Sequence, residues 1–533
     1  MKNTNDIDDL NNLNDFNFLI ERIYKYGGIN RLGHIFTTDK NSYYYDNGTG
    51  KVTCLGAEEK QVFEWLFKNE HDCSYDNFRL SVESPNHDEL LKNIRRFVDD
   101  ENLLMAPVKT QFISPPHKEE LESTMQSGMR ILTLELTEEC NLRCDYCIYN
   151  EKYDKVREFS GREMGFDTAK AAVDMLNKYG GEEVAITFYG GEPLLKFELI
   201  KQVIEYATET IKEKELTYSM TTNLTLMTRE MAEFFVSIDG FSIVCSLDGS
   251  EDIHNEYRKY PNGIGSFNNA IKGLKYLVGA CRERFGSEFA EKITSKIMLS
   301  MVFGPPYTQA KAVMVDDFFE EISDWLPKNI SKTVTYPEFG SIDESIMLNK
   351  EKNDNTNAMK WDPLISWTMN EYDIQDGANE LFTKKTMTEA LLPIHNRPIM
   401  DKPEQSGGFN GCCIPGQRRA YVCTNGDILP CEKMGLCPTI GNVHNGFDIG
   451  AIAKHYVDDY EKMSISDCNE CWAFNICGIC YMKNYNDSSF DLAKKRENCI
   501  SARNQASNLL RLYHHILETA PETLAYLNEI EVS

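Results

Sequence analysis

The sequence lacks the features of a membrane protein or a secreted protein. It contains no apolar run near the roughly 18–20 residues that a membrane-spanning helix requires. Its first residues, MKNTNDIDDLNNLNDFNF, are acidic and rich in Asn, without the cationic start and apolar core of a secretory signal. We therefore expect a cytoplasmic protein with no membrane partner.

Basic residues are scarce relative to acidic residues. Lys and Arg together number 56 against 83 Asp and Glu, which gives a formal net charge of −27. Because a phosphate backbone is also negative, such a chain repels it, and we expect no nucleic-acid partner. Hydrophobic residues make up 41% of the 533 residues, as in globular proteins, and this length allows about two to four domains.

Cysteine, in contrast, is abundant, with 17 residues. Three cysteines lie within 140–147 and ten lie after residue 411. The remaining four are scattered and are expected to be small buried hydrophobes: Cys54, Cys73, Cys245 and Cys281. In a chain without a secretory signal, this grouping favours ligation of metal ions or iron–sulfur clusters over disulfide bonds.

Residues 30–107 predict a small domain of mixed structure. HIFTT, SYYYD and KVTCL predict short strands, with a turn at Asp46-Asn47-Gly48 before the third. AEEKQVFEWLF and DELLKNIRRFV carry apolar residues at helical spacing and predict two amphipathic helices. The pattern indicates a winged-helix-like unit, preceded by a polar segment at 1–29 and followed by a linker at Pro115-Pro116.

From residue 131 the pattern changes to strands that alternate with helices. Six apolar segments predict strands: ILTLELT, EVAITFY, LTYSMTTN, GFSIVCSLDG, KIMLSMVFG and KTVTYP. The alternation predicts a parallel sheet that curls into an open barrel, with its chemistry at the carboxyl ends of the strands. The predicted fold class is α/β: a partial (β/α)6 TIM-like barrel between the winged-helix-like domain and a Cys-rich domain.

The first group of cysteines directly follows the first of these strands, in Cys140-Asn-Leu-Arg-Cys144-Asp-Tyr-Cys147. Three thiolates on one tight loop can hold three irons of a 4Fe–4S cluster and leave the fourth iron open to a small molecule. The alternative is a zinc loop, although structural zinc takes four ligands and this group would need a distant fourth cysteine.

This group resembles the C-x3-C-x-aromatic-C motif of radical S-adenosylmethionine (SAM) enzymes, with Tyr146 at the aromatic position. Three further strand ends match the motifs of that family in order: GGEP at Gly190, Gly191, Glu192 and Pro193; a polar pair at Thr222 and Asn223; and S-[IL]-D-G with its H-x3-R continuation at Ser246, Asp248, His254 and Arg258. The resemblance implies that the cysteines hold one 4Fe–4S cluster and that the other residues bind SAM. It also implies flavodoxin or ferredoxin as the electron donor.

The second group of cysteines resembles the SPASM extension of radical SAM enzymes, which holds two auxiliary 4Fe–4S clusters. Carried over by position, the resemblance assigns Cys413, Cys431 and Cys480 to the first of them. It assigns four ligands to the second: Cys468, Cys471, Cys477 and Cys499. With the cluster at 140–147, three 4Fe–4S clusters are implied.

Two departures from the SPASM pattern bear on the first auxiliary cluster. Cys477 and Cys480 are separated by two residues where the family has three. The pattern does not determine the fourth ligand of this cluster. It is either a substrate thiolate or one of three cysteines: Cys412, Cys423 and Cys437. A pair of zinc knuckles is the alternative for this region.

The unit at 30–107 is similar in architecture to the PqqD-like peptide-recognition element. Such elements bind the leader of a ribosomally made peptide by adding it as a strand to a sheet edge. The predicted domain order follows: 1–29 polar segment, 30–107 PqqD-like domain, 125–338 radical SAM barrel, 339–410 insertion or linker, 411–500 SPASM domain, 501–533 C-terminal helix.

This combination resembles the sactipeptide and ranthipeptide maturases. It implies an enzyme that abstracts a hydrogen atom from a ribosomally made precursor peptide and bonds a substrate Cys sulfur to that carbon. The alternatives are a carbon–carbon crosslinking maturase, an anaerobic sulfatase-maturing enzyme that makes formylglycine, and, outside enzymes, an iron–sulfur scaffold or electron-transfer protein. In sulfatase-maturing relatives an Asp follows the cysteine that matches Cys431, so Glu432 is the candidate catalytic base.

Overall fold

The structure is a computed structural model that describes residues 4–69, 73–110, 115–150, 157–305, 309–337, 382–405 and 413–530. The prediction for Cys412 and much of the predicted insertion at 339–410 lie outside the described residues. Within the described ranges, none of the helices has the length and apolar character needed to cross a bilayer.

The N-terminal unit consists of a three-stranded antiparallel sheet and five helices. In chain order they are α1 Thr4–Lys25, α2 Ile29–Leu32, β1 Gly33–Thr37, β2 Ser42–Asp46, β3 Val52–Leu55, α3 Ala57–Lys68, α4 Tyr75–Ser81 and α5 His87–Asp100. The predicted strands and both predicted helices are confirmed. The polar segment at its start forms a helix because Phe16, Leu19 and Ile23 lie on one face and are buried in the core of the unit.

The predicted linker at Pro115-Pro116 instead begins a helix, α6 Pro115–Met125. Proline is compatible with the first helical turn because its fixed φ suits the helix and its missing N–H would have no partner there.

The central part alternates strands and helices as predicted: β4 Met129–Glu135, α7 Phe166–Tyr179, β5 Gly180–Tyr189, α8 Phe197–Thr210, β6 Glu215–Thr222, α9 Arg229–Ser237, β7 Phe241–Ser246, α10 Glu251–Tyr257, α11 Phe267–Phe285, α12 Phe289–Lys292, β8 Ile297–Val302, α13 Gln309–Glu321 and β9 Lys332–Thr335. The C-terminal part contains α14 Phe382–His395, β10 Arg419–Val422, β11 Asp427–Leu429, β12 Gly441–Asn442, β13 Gly446–Phe447, α15 Ile449–Ala451, α16 Asp459–Asn469 and α17 Leu492–Thr519.

These strands form one ten-stranded sheet in the order β13-β12-β11-β10-β4-β5-β6-β7-β8-β9. The six predicted strands, β4 to β9, are confirmed as parallel neighbours in sequence order. Strand β10 of the Cys-rich region, which the sequence analysis missed, pairs in parallel with β4. The Cys-rich region is therefore continuous with the parallel sheet.

The two faces of the parallel strands differ in polarity because successive side chains point to opposite sides. Leu132, Ile186 and Phe188 are fully buried in the large hydrophobic core that also contains the helices. On the other face Thr133 is in register with Thr187, and the Thr187 hydroxyl lies 2.7 Å from that of Ser219 on the next strand. The polar face and the carboxyl ends of these strands position the candidate site.

Candidate functional site

The cysteine loop, residues 140–147, leaves the carboxyl end of β4 and is held by the segment after α10. The backbone N–H of Arg143 donates to the Lys259 carbonyl at 2.7 Å, and that of Asp145 donates to the Tyr257 carbonyl at 3.1 Å. Cys144 is buried, and Cys140 and Cys147 are half-buried. The loop is thus fixed by backbone hydrogen bonds that leave its three thiols available.

Gly190 and Gly191 pack directly against the start of the cysteine loop. The Gly191 N–H donates to the Thr137 carbonyl at 2.7 Å. Gly190 has a φ of +129°, and a Cβ at Gly191 would lie 2.0 Å from the Glu139 carbonyl oxygen. Both positions therefore require glycine, because only glycine allows this backbone approach and this φ without strain. Pro193 follows, buried, at the start of a short 3₁₀-helix.

Glu192 links the ends of β5 and β6 and lies near Cys140. Its Oε1 accepts hydrogen bonds from the Thr222 hydroxyl at 2.7 Å and the Leu194 N–H at 3.1 Å, and its Oε2 accepts from the Asn223 N–H at 2.8 Å. Burial raises the pKa of this carboxyl to about 7. Each oxygen has two lone pairs, so these bonds leave capacity for a ligand donor.

Asn223 extends this connection to the cysteine loop. Its side-chain amide donates to Asn141 Oδ1 at 2.9 Å, and the same nitrogen lies 3.8 Å from the Cys140 sulfur. Its Oδ1 accepts from the Thr225 N–H and hydroxyl. Of the predicted polar pair at the end of β6, Asn223 therefore contacts the first cysteine and Thr222 contacts Glu192.

Asp248 and Arg258 form a buried ion pair on the other side of the loop. Asp248 Oδ2 accepts from Arg258 Nε at 2.8 Å and from the Tyr146 hydroxyl at 2.6 Å, and Asp248 Oδ1 accepts from the Val302 N–H at 2.9 Å. The Asp248 side chain has no exposed surface. The aromatic residue of the cysteine motif is thus anchored to the strand-end motif after β7.

His254 supports the same turn from inside the protein. Burial lowers its pKa to about 4, and its Nε2 lies 3.0 Å from the Ser266 hydroxyl. A neutral imidazole on a hydroxyl partner indicates a structural role. Ser246, the last residue of β7, is buried beside this turn.

We expect Asp248→Ala to lower the free energy of unfolding by about 3–5 kcal/mol, because it leaves the Arg258 charge buried without its partner. The shift of the urea midpoint of the apoprotein measures this. The double variant Asp248→Ala/Arg258→Met is expected to recover part of the loss, because it removes the isolated charge. A single variant as stable as the parent would contradict the role of the pair.

The three thiols of the cysteine loop lie close enough for their charges to interact. Burial raises the pKa of Cys140 to about 12, and the Glu192 and Cys147 charges add to the rise. Burial also raises the pKa of Cys144, and both other thiols contribute. A cationic cluster bound at these sulfurs would remove their protons, since the thiolate is the ligand form. Three thiols on one loop therefore fit the donor set of a 4Fe–4S cluster.

A buried polar network beside the loop was not identified from the sequence. Glu135, the last residue of β4, accepts from the hydroxyls of Tyr149 at 2.5 Å and Tyr421 at 2.8 Å. Arg157 Nη1 donates to the Tyr421 hydroxyl at 2.6 Å and lies 3.3 Å from Glu135 Oε1. A carboxylate at the end of the apolar strand ILTLELT was the sequence signal that could have indicated this network.

The four cysteines predicted for the second auxiliary cluster lie together. Burial raises the pKa of Cys468 to about 12, and the Cys499, Cys471 and Cys477 thiols add to the rise. Cys468 lies in the last turn of α16, and Cys471 and Cys477 lie on the segment that follows it. Cys499 lies on α17 with its sulfur 3.7 Å from Lys495 Nζ.

The cysteines predicted for the first auxiliary cluster are brought together in part. Burial raises the pKa of Cys431 to about 11, and the nearby Cys480 adds to the rise. Cys437 is buried and near Cys431, whose charge contributes to raising its pKa to about 12. Cys413 is exposed, and Cys423 is half-buried. Across the described ranges, no three His, Cys, Asp or Glu side chains converge on a position for a single metal ion, whereas the thiolates of a 4Fe–4S cluster each bind a different iron.

Glu432 directly follows Cys431 and is held by the first residue of β10. Its Oε1 accepts from Arg419 Nη1 on β10, and its side chain is 16% exposed. Its Oε2 is buried and has no hydrogen-bond partner in the part of the chain that the structure describes. Burial raises the pKa of Tyr189, at the end of β5, to about 12, and the Glu432 charge adds to this. One carboxylate oxygen therefore lacks a donor among the described residues, and the Glu432 charge acts on the phenol at the end of β5.

Comparison with known families places a radical SAM domain in this chain. Residues 134–286 match the model of the Radical SAM superfamily. This segment contains the cysteine loop and all the strand-end motifs from Gly190 to Arg258. The prediction of a radical SAM enzyme is confirmed for this domain, and the family implies a 4Fe–4S cluster and SAM.

Curated relatives match the chain over this domain. An uncharacterized protein of Methanocaldococcus jannaschii is 36% identical over 162 residues, which are 30% of this chain and 53% of that protein. A serine-type anaerobic sulfatase-maturating enzyme of Bacteroides thetaiotaomicron is 31% identical over 140 residues, which are 26% of this chain and 34% of that enzyme. The chain thus spans about half or less of the length of these relatives.

Solved structures are similar to the chain over a longer range. The structure of anSMEcpe with bound AdoMet and the Cp18Cys peptide has a TM-score of 0.48 at 20% sequence identity. The match covers 76% of this chain and 100% of that chain.

Proposed function

We propose that this chain is a radical SAM maturase that forms a thioether crosslink in a ribosomally made precursor peptide. The observation that carries the proposal is the cysteine loop, which is fixed between the Gly190-Gly191 turn and the Asp248–Arg258 pair. All three lie at the carboxyl ends of parallel strands, where parallel α/β proteins place their chemistry. A (β/α)6 barrel built from β4 to β9 would exclude water from that end.

Three sets of thiols are the proposed ligands of three 4Fe–4S clusters. Cys140, Cys144 and Cys147 would hold the SAM-binding cluster. The second auxiliary cluster would take the four grouped thiols: Cys468, Cys471, Cys477 and Cys499. The first would take Cys413, Cys431 and Cys480, and we assign the fourth position to Cys437 because it is buried beside Cys431.

When bound, SAM and its cluster supply a 5′-deoxyadenosyl radical that removes a hydrogen atom from the peptide, and an auxiliary cluster supplies the acceptor for the second electron. The chain itself provides oxygen acceptors for the ammonium and hydroxyl groups of SAM on Glu192 and Asp248, and Asn223 connects Glu192 to the cysteine loop. Their hydrogen bonds to one another and to the cysteine loop keep them oriented before SAM arrives, which reduces the cost of ordering the site.

Glu432 is proposed to take the proton of the substrate thiol. Its Oε1 is held by Arg419, so the unpartnered Oε2 has a fixed direction. A base must come within hydrogen-bond distance of the proton that it removes. A buried acceptor without a donor is also unfavourable by about 1–3 kcal/mol until a donor arrives, which a thiol would supply.

The N-terminal unit is proposed to bind the leader of the precursor as a PqqD-like element. β2 is the central strand of its sheet, so β3 is an edge strand. Edge strands present unpaired backbone groups to which an extended peptide can add. Flavodoxin or ferredoxin is the proposed electron donor.

Sulfatase maturation is the second candidate, because the relative from Bacteroides thetaiotaomicron has that activity. The products distinguish the two. A thioether retains the substrate sulfur and lowers the peptide mass by two hydrogens, whereas formylglycine formation from Cys removes the sulfur.

The test is mass spectrometry after anaerobic incubation with SAM and reductant. The probes are a synthetic Cys-rich peptide encoded beside the gene and a synthetic peptide of a sulfatase active site. We expect loss of two hydrogens in the first and no change in the second. Modification of the second, which is loss of sulfur from a Cys peptide and loss of two hydrogens from a Ser peptide, with the first unchanged, would overturn the thioether proposal.

A further inference from the structure

The ligand loop, residues 468–477, packs against the N-terminal unit. The ring of His34 on β1 stacks on Trp472 with centroids 4.1 Å apart and planes 10° from parallel. His34 Nε2 also lies 2.8 Å from the hydroxyl of Ser507, which is on α17, the helix that carries Cys499. One side chain of the N-terminal sheet thus contacts both elements that carry the second set of thiols.

The turn after β2 bonds the same loop between its cysteines. The Asn47 side-chain amide donates to the Cys471 carbonyl at 3.2 Å. In return, the Asn475 side-chain amide donates to the Asn47 carbonyl at 2.5 Å. Asn47 is 6% exposed. These two bonds lie on either side of Trp472, so they fix the loop at two points between Cys468 and Cys477.

The first residue after Cys468 is fixed by two further parts of the N-terminal region. Arg31 Nε donates to the Asn469 carbonyl at 2.7 Å. Asn469 Oδ1 accepts from the Lys109 N–H at 2.7 Å, and its Nδ2 donates to the Lys109 carbonyl at 2.9 Å. Arg31 is 3% exposed and also donates to the Ala106 and Pro107 carbonyls. The ligand loop is therefore joined to the unit along most of its length.

The contact is also apolar. Trp472 and Ile476 pack against a hydrophobic core that contains Phe36 and Tyr45 of the N-terminal sheet. The same core contains residues of α14 and α17. If the N-terminal unit moved independently to deliver a bound leader peptide, its movement would disrupt this shared core.

We propose that the N-terminal unit is a buttress that positions the ligands of the second auxiliary cluster, with His34, Asn47 and Asn475 as positioning residues. The inference rests on the proposed function, because it takes the thiols at 468–477 and 499 as ligands. A cluster requires its thiolates at defined positions. Hydrogen bonds that hold the loop carbonyls reduce the entropy that ligation would otherwise cost.

This role changes how a deletion of the N-terminal unit is interpreted. Removal of residues 30–107 would remove Arg31, His34 and Asn47, and of the hydrogen bonds to the ligand loop described above only those of Lys109 would remain. Loss of activity in such a deletion would follow from a damaged auxiliary site even if the leader never bound there. Point variants at the contact are therefore the sharper test.

The experiment measures iron release to a chelator from the reconstituted full-length protein. We expect His34→Ala and Asn475→Ala to release about a third of the iron about tenfold faster than the parent, which corresponds to a loss of about 1.4 kcal/mol from the contacts that each variant removes. The remaining iron should leave at the parental rate. His34→Phe keeps the ring against Trp472 and should release iron more slowly than His34→Ala.

Two controls make the outcomes separable. His87→Ala changes a histidine whose hydrogen bond to the Val82 carbonyl and ring contact with Phe78 both lie within the same unit, and it should release iron as the parent does. Cys477→Ala should lower the total iron by about a third; full iron in this variant would overturn the proposed cluster itself. If Cys477→Ala loses iron but His34→Ala and Asn475→Ala match the parent, the assignment of the cluster ligands is retained. The proposed positioning role of the N-terminal unit is then overturned.

Discussion

Replacing Cys140, Cys144 and Cys147 together with Ala is expected to remove about a third of the iron and all SAM cleavage. The reason is that the loop would hold one of three four-iron clusters, which corresponds to about four of about twelve irons per chain. The auxiliary thiols lie outside this loop, from Cys413 before β10 to Cys499 on α17, so their iron should remain. Iron analysis after anaerobic reconstitution and chromatography of 5′-deoxyadenosine measure the two effects.

The matched control is Cys54→Ala, in β3, far along the chain from either proposed ligand group. The expectation that Cys54 is buried is wrong, because its side chain is exposed. This control variant should keep full iron and full SAM cleavage. If the triple variant still cleaves SAM, the active cluster is assigned to the wrong cysteines. If it retains all of the iron, the loop is not a cluster site.

Glu432→Gln is expected to abolish crosslinking while SAM cleavage continues. Gln has nearly the same size and keeps an oxygen for Arg419, but it cannot accept a proton, and general-base catalysis is worth about 10²–10⁴ in rate. Product mass and 5′-deoxyadenosine are measured in the same reaction, with iron content checked because Cys431 is adjacent.

Glu497→Gln is the control for this prediction, because Glu497 is an exposed carboxylate on α17. It should leave both products at parental levels. Crosslinked peptide from Glu432→Gln at the parental rate would exclude Glu432 as the base. Loss of both 5′-deoxyadenosine and iron would instead indicate that Glu432 supports the neighbouring cysteine.

The site at the strand ends could be predicted because its residues are local in sequence and its strands are regular. Parallel strands bring their carboxyl ends to one edge, so motifs after β4, β5, β6 and β7 had to meet. The reason for the two glycines was not predictable. Gly190 and Gly191 are required by the backbone of Thr137 and Glu139, a contact that appears only when β4 and β5 are side by side.

Features that depend on long-range packing escaped the sequence analysis. Tyr421 reaches Glu135 across 286 residues of sequence, and β10, which positions it, has only four residues. The contact between His34 and Trp472 similarly joins the two ends of the chain. Neither hydrophobic periodicity nor residue spacing indicates such contacts, because the sequence around each of these residues is typical of an ordinary strand or loop.

Transfer of hydrogen from the peptide to SAM-derived 5′-deoxyadenosine tests the central claim most directly. The measurement uses the Cys-rich precursor peptide with deuterium at its carbon-bound positions, incubated anaerobically with SAM, reductant and the reconstituted protein. The account predicts 5′-deoxyadenosine heavier by one deuterium and a crosslinked peptide that retains its sulfur. Crosslinked peptide accompanied by unlabelled 5′-deoxyadenosine would contradict it.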